Sequence, residues 1–142
     1  MNELACVDTN VFIRLFTNDD PAQTAVAHAL FLEGQKGTLF FVINDLIFAE
    51  IAWVLRKPYN LSPDAIRKHL LAITNMPFIE IRAADLTVQL TDALDLHVTK
   101  NIEFTDAYIA SWMLEHGISI IYTFNSKHFS RVEGIDVRIP GK

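Results

Sequence analysis

Cysteine is nearly missing from this chain. The one present, Cys6, cannot form an internal disulfide, and its place in an apolar run predicts a packed core side chain. Five histidines, His28, His69, His97, His116 and His128, are scattered without the close pairing of a zinc site, so structural zinc is not expected. Long hydrophobic runs are also absent. Apolar stretches break well short of the ~18 residues that a membrane span needs, and the N-terminus lacks the basic flank of a signal peptide. Together these absences predict a soluble, cytoplasmic protein with no membrane association. Repeats and low-complexity tracts are missing too, and the longest candidate linkers are a few residues around Pro58, Pro77 and Gly134. A single domain over residues 1–142, without a tail, is the expectation. Basic charge is scarce: 12 Lys and Arg face 17 Asp and Glu, for a net charge of -5. This excludes a general nucleic-acid coat that binds by neutralising phosphates. An enzyme whose carboxylates gather around divalent cations, with a small basic patch for substrate, remains compatible.

What is present is ample core material, with 51% of 142 residues hydrophobic. The order of signals alternates strand and helix. Residues 4–7, 38–43 and 118–123 read as short buried strands, 78–82 as a short alternating strand, and residues 135–139 as an edge strand. Between them lie helical patterns. "VFIRLF" follows the first strand, and Asp20 and Pro21 start a helix with Ala22, Val26, Ala29 and Leu30 on one face, ended by Gly34 and Gly37. Asn44 or Asp45 caps "LIFAEIAWVLRK", whose Arg56 and Lys57 suit the negative end of the helix dipole before Pro58. Ser62 and Pro63 start a helix with Ile66, Leu70 and Ile73 inward. A further helix over about 84–97 carries Leu86, Leu90, Ala93 and Leu94 at helical spacing, and Thr105 caps "DAYIASWMLEH", closed by Gly117. Apolar strands alternating with helices imply a three-layer α/β/α sandwich with a mostly parallel central sheet. Ligands of such folds bind beyond the carboxyl ends of the strands.

Most acidic residues have ordinary places. Asp20, Asp45 and Asp64 fit helix starts, while Asp85, Asp92 and Asp95 fit a solvated helix face. Three do not. Asp8 interrupts "ELACVDTNVFIRLF" at the end of the first strand, where it serves either as a turn former with Thr9 and Asn10 or as a ligand. Glu50 has Leu46, Ile47, Trp53 and Val54 three and four positions away on its helix, which leaves snorkelling, a buried arginine partner or a metal. Asp106 is either an ordinary first-turn acid or the third member of a cluster. Carboxylates converging on one sheet edge are what Mg²⁺ or Mn²⁺ prefers, and such a site activates water against a phosphodiester.

The segments "VDTNVFIRLF", "AEIAWVL", "FTDAYIASWMLEHG" and "IIYTFNSKHF" resemble, in order and spacing, the motifs of PIN-domain ribonucleases, and among them the VapC-type toxins of toxin-antitoxin pairs. The likeness spans nearly the whole chain, including "VLRKPYNLSPDAIRKHLLAI", which is similar to a helical hairpin of those toxins. It implies a PIN-like fold, a Mg²⁺ or Mn²⁺ site and cleavage of RNA by metal-activated water. Asp8, Glu50 and Asp106 match the family's acidic triad as catalytic and metal-binding residues. Thr9 and Asn10 match its "DTN" element, and Thr123 matches a supporting hydroxyl. Asn125 stands where many relatives have a fourth acid; a neutral ligand holds a second metal less strongly, which favours one ion. Arg14, Lys127 and His128, close to these motifs, are the expected RNA contacts, placing phosphates rather than reading sequence.

Three functions follow from these readings. The first is an endoribonuclease toxin restrained by a small antitoxin protein and homodimeric by family likeness. The second is a stand-alone RNA-processing nuclease. The third is a PIN-fold binding module without catalysis, for which Asn125 is the best support and the intact triad the main obstacle.

Overall fold

The computed structural model describes residues 3–83 and 86–142, with side chains for all of these except residues 3 and 86–89. The expected solvated position of Asp85 falls outside the described residues, and the packing of Leu86 outside the described side chains.

The elements in chain order are β1 (Glu3–Val7), α1 (Thr9–Phe16), α2 (Pro21–Gln35), β2 (Leu39–Asn44), α3 (Asp45–Arg56), α4 (Pro63–Thr74), β3 (Ile79–Arg82), α5 (Leu86–Thr99), α6 (Phe104–Glu115), β4 (Ile120–Tyr122) and β5 (Asp136–Arg138), with a 3₁₀ turn at Phe129–Arg131. The strands pair in the order β3-β2-β1-β4-β5, every pair parallel, with Cys6 opposite both Val42 and Ile121. The chain steps from β1 through β2 to β3 in one direction, then crosses back to β4 on the other side of β1. Right-handed crossovers therefore put α1–α4 on one face and α5 and α6 on the other, completing the α/β/α sandwich. The helix contacts follow this division: α1 packs on α2 and α3, α3 on α4, and α5 on α6. The point of reversal, between the carboxyl ends of β1 and β4, is where a doubly wound sheet opens a crevice.

Local signals placed most helix starts. Asp20, Asn44 and Ser62 each accept a hydrogen bond from a backbone N–H three residues on, at 2.9–3.1 Å, so Asn44 rather than Asp45 caps α3. Cys6 is fully buried and free, as expected, and burial with Asp8 nearby pushes its thiol pKa up. No helix among the described residues is long and apolar enough to cross a membrane.

Four expectations need correction. The buried stripe of α2 is Ala27, Leu30, Phe31 and Gly34, whereas Ala22 and Ala29 are exposed. Spacing alone could not choose between the two faces of this evenly apolar helix. Gly34 does not end the helix: it lies inside α2 because a Cβ there would come within 2.5 Å of the Phe78 ring. Gly37, in the left-handed region at φ 86°, makes the stop. On α5 the packed residues are Ala93 and Leu96, while Leu90 and Leu94 face outward. Finally, α6 begins at Phe104 with Glu103 in the cap position and no side-chain cap, so Thr105 lies inside the first turn.

Candidate metal centre

Asp8 leaves β1 at the reversal point and is only 7% exposed. It does both things the sequence left open, turning the chain while presenting its carboxylate. Its Oδ1 accepts the Thr9 N–H at 2.8 Å, capping α1, and its Oδ2 accepts the Thr123 hydroxyl at 2.9 Å. Asn10 ties the two strand ends together. Its Nδ2 donates to Thr123 Oγ1 at 3.0 Å and, more weakly, to Asp8 Oδ2 at 3.4 Å, and its Oδ1 accepts the Phe124 N–H at 3.0 Å. The fully buried Thr123 also accepts the Asn125 N–H at 3.1 Å. Thr9, Asn10 and Thr123 therefore form one hydrogen-bonded frame around Asp8.

Glu50 arrives on α3, where its Oε1 accepts the Thr9 hydroxyl at 3.2 Å. Asp106 arrives on the first turn of α6, from the opposite face of the sheet, and its Oδ2 lies 2.7 Å from His128 Nδ1. Asp8, Thr9, Asn10, Glu50, Asp106 and Asn125 line one cleft of about 360 Å³, together with Ile13, Arg14, Val54, Pro58 and Tyr59. The end of β1, a helix from one face, α3, and a helix from the other, α6, thus deliver one carboxylate each.

The electrostatics of the cleft are those of a site short of positive charge. Burial, with the Asp106 carboxylate adding to it, raises the Asp8 pKa to about 6 against the opposing hydrogen bonds from Thr123 and Thr9. Burial and the nearby Asp8 raise Glu50 to about 7. Asp106 is also raised by burial, with His128 pulling the other way. The donor set, hard carboxylate oxygens with a neutral amide beside them, suits Mg²⁺ or Mn²⁺ rather than a softer metal. No group of three His, Cys, Asp or Glu side chains among the described residues is closed tightly enough to cage an ion alone. An ion that keeps several waters and is bound through one or two carboxylates fits such an open arrangement.

The three cationic candidates separate. Arg14 lines the cleft; its Nε donates to Gln23 Oε1 at 2.7 Å, and its Nη1 to Asp19 Oδ1 at 2.8 Å and Tyr59 Oη at 3.1 Å. Lys127 is exposed and its backbone N–H donates to Asn125 Oδ1 at 3.3 Å, but it does not line the cleft. His128 sits behind Asp106 instead of on the open surface. Sequence reasoning missed Tyr59, Asp19 and Gln23. The trace of Tyr59 in the sequence is an aromatic between Pro58 and Asn60 in the α3–α4 connection.

Comparison with known proteins gives a family model described as the PIN domain, matched over residues 5–135. No curated protein matches the chain significantly. Among solved structures, VapBC-1 from nontypeable Haemophilus influenzae is similar with a TM-score of 0.69 at 16% identity, covering 98% of this chain and 99% of that one. A toxin-antitoxin complex from Klebsiella pneumoniae gives 0.68 at 18% identity, covering 96% and 97%. VapC20 of Mycobacterium tuberculosis, described as a sarcin-ricin loop cleaving toxin, gives 0.67 at 15% identity, covering 89% and 93%.

Proposed function

The chain belongs to the PIN-domain family, and from that premise we propose that it is a metal-dependent endoribonuclease, the toxin of a toxin-antitoxin pair. The observation that carries the reading is the convergence of Asp8, Glu50 and Asp106 on one cleft at the point where the sheet reverses. Mg²⁺ or Mn²⁺ would be held by Asp8 and Asp106 with Glu50 beside them. The chemistry such an ion supplies when bound is acidification of a water molecule and neutralisation of charge at the phosphate. The hydrogen-bonded frame of Thr9, Asn10 and Thr123 keeps Asp8 fixed, so little reorganisation accompanies binding. Thr9 engages Oε1 of Glu50, which leaves Oε2 to take a proton from the attacking water. Arg14, at the cleft, offers its charge to the phosphate. Asn125 lines the cleft as a neutral oxygen donor, which favours one tightly held ion.

A protein partner is supported by a second, apolar groove of about 530 Å³ between α3 and α4, where Trp53 is 61% exposed among Phe48, Leu70 and Leu71. The similar solved structure described as a toxin-antitoxin complex makes a small antitoxin protein the occupant we favour. A homodimer is the companion proposal: Leu90, Leu94 and Val98 form an exposed apolar row along α5, on which a second copy would pack.

The test is RNA cleavage by purified protein in Mg²⁺, Mn²⁺ or EDTA, beside Asp106→Asn and Glu50→Gln variants whose circular dichroism matches the parent. Cleavage that needs the metal and falls at least a hundredfold in both variants supports the reading. Cleavage undiminished in EDTA, or equal in all three proteins, overturns it.

A further inference from the structure

Resting on the ribonuclease reading of the cleft, we propose that its apolar part, built by Ile13, Val54, Pro58 and Tyr59, receives one unpaired base of the RNA strand, while Arg14 holds a neighbouring phosphate.

The first reason is size. The cleft measures about 360 Å³, whereas a divalent ion with six waters, at about 30 Å³ for each water, fills about half of that. The second is the division of the lining. Three carboxylates and their polar neighbours account for the ion; four side chains of mainly apolar surface contribute nothing to it and gain from contact with a flat, weakly hydrated ring. The third is rigidity. The Tyr59 hydroxyl donates to Asp19 Oδ2 at 2.7 Å and accepts from Arg14 Nη1, while Asp19 Oδ1 takes both Arg14 Nη1 at 2.8 Å and the Thr17 hydroxyl at 3.0 Å. With Gln23 on Arg14 Nε, this network joins α1, α2 and the α3–α4 connection. It holds the tyrosine ring in place before any ligand arrives, and among the described residues that ring stacks on no other aromatic.

The arginine points to the same ligand. Its Nε and Nη1 are occupied, and Nη2 has no hydrogen-bond partner among the described residues. A guanidinium held through Nε and Nη1, with Nη2 left beside an acidic site, is arranged to meet an anion that the bare carboxylates would repel. A strand of RNA supplies both parts, an aromatic face and a phosphate one nucleotide away. A paired base has both faces covered by its stack, so the pocket takes only a nucleotide from a loop, bulge or single strand. The nucleotide that enters is therefore selected by access to Tyr59 rather than by base-edge contacts.

The experiment uses full-length protein carrying Asp106→Asn to suppress cleavage, and measures anisotropy of a fluorescent single-stranded hexaribonucleotide in Mg²⁺, beside the same sequence as a duplex. Tyr59→Ala is expected to weaken single-strand binding about tenfold or more, with no comparable loss on duplex, and Tyr59→Phe to stay within about threefold. Arg14→Ala should lower the slope of binding against salt by about one ion. An abasic nucleotide moved along the hexamer, tested with Tyr59 intact, should cost the same factor at one position. Adding Tyr59→Ala there should cost nothing more.

Equal losses on single strand and duplex, or abasic scans flat at every position, overturn the proposal. The latter result would leave the pocket to a side chain of a protein partner. If Tyr59→Ala does not fold, the abasic scan and Tyr59→Phe decide. Wild-type cleavage is assayed in parallel: no cleavage of any RNA removes the ribonuclease reading itself, whereas cleavage indifferent to Tyr59 and to every abasic position removes this inference alone.

Discussion

His128 Nδ1 lies 2.7 Å from Asp106 Oδ2, joining the turn after β4 to the first turn of α6. An ionised carboxylate can only accept, so with Asp106 charged the hydrogen bond assigns the proton to Nδ1 as the donor. The Glu103 N–H, 3.5 Å from the same nitrogen, is a distant competitor. A residue that sequence proximity suggested for RNA thus holds one carboxylate of the acidic cluster.

His128→Ala should therefore weaken divalent-ion binding by about tenfold or more, the scale on which partners of metal-ligating groups act. His128→Gln, which can still donate, should recover part of the loss. Calorimetric titration with Mn²⁺ decides this; identical affinity in parent and His128→Ala would separate the histidine from the site.

Thr123→Val keeps the volume of a fully buried side chain but takes away the partner of the Asn125 N–H and leaves Asp8 Oδ2 and Asn10 Nδ2 only their weak mutual contact at 3.4 Å. Loss of about 1–3 kcal/mol in urea unfolding is expected, with Thr123→Ser close to the parent. A valine variant as stable as the parent would mean that Thr123 does not support the frame.

The raised carboxylates fix the sign of a pH effect. In the metal-free protein Glu50 moves from its ordinary 4.5 to about 7 on folding, so the folded state binds the proton more tightly. The stability this contributes is fully present below about pH 4.5 and is lost as pH rises through about 7. Asp8, raised from 3.8 to about 6, acts in the same direction between those two values. Glu50→Gln retains an acceptor for Thr9 and escapes its share of the loss. At pH 8 without metal it should be more stable than the parent, by on the order of 2 kcal/mol after discounting for partial exposure, and the difference should vanish near pH 4. Thermal melts across pH check this; a constant offset at all pH values would count against it.

Gly34→Ala would ordinarily stabilise a helix interior by about 0.5–1 kcal/mol. Here the new methyl meets Phe78 at 2.5 Å and Phe41 at 3.0 Å, so we expect destabilisation of about 1–3 kcal/mol by overpacking. Phe78→Leu in the same chain should relieve part of it. A melting temperature raised by Gly34→Ala alone would refute the close approach.

Much of the architecture was legible because its signals are local. The buried strands, the caps at Asp20 and Ser62, and the acid at the end of β1 each depend on residues within a few positions of one another. The same holds for Gly117, whose left-handed φ of 69° follows the last turn of α6. Where the pattern was degenerate it misled. In α2 apolar residues surround the helix, and only the sheet's placement of Phe41, with Phe78 just before β3, selects the face that holds Gly34.

For the candidate site, the sequence by itself determined which carboxylates are out of place: Asp8 after an apolar strand, Glu50 inside an apolar helix and Asp106 beside a buried helix core. Tertiary structure decided what surrounds them. Thr123 reaches Asp8 across 115 positions, His128 turns back onto Asp106, and Arg14, Asp19 and Tyr59 join across 40 and 45 positions. Local chemistry fixes helix and cap because those contacts lie within a turn of the chain, and an apolar run marks a strand before its distant partners pair with it. A cleft exists only when the parallel sheet has brought the ends of distant elements to one edge.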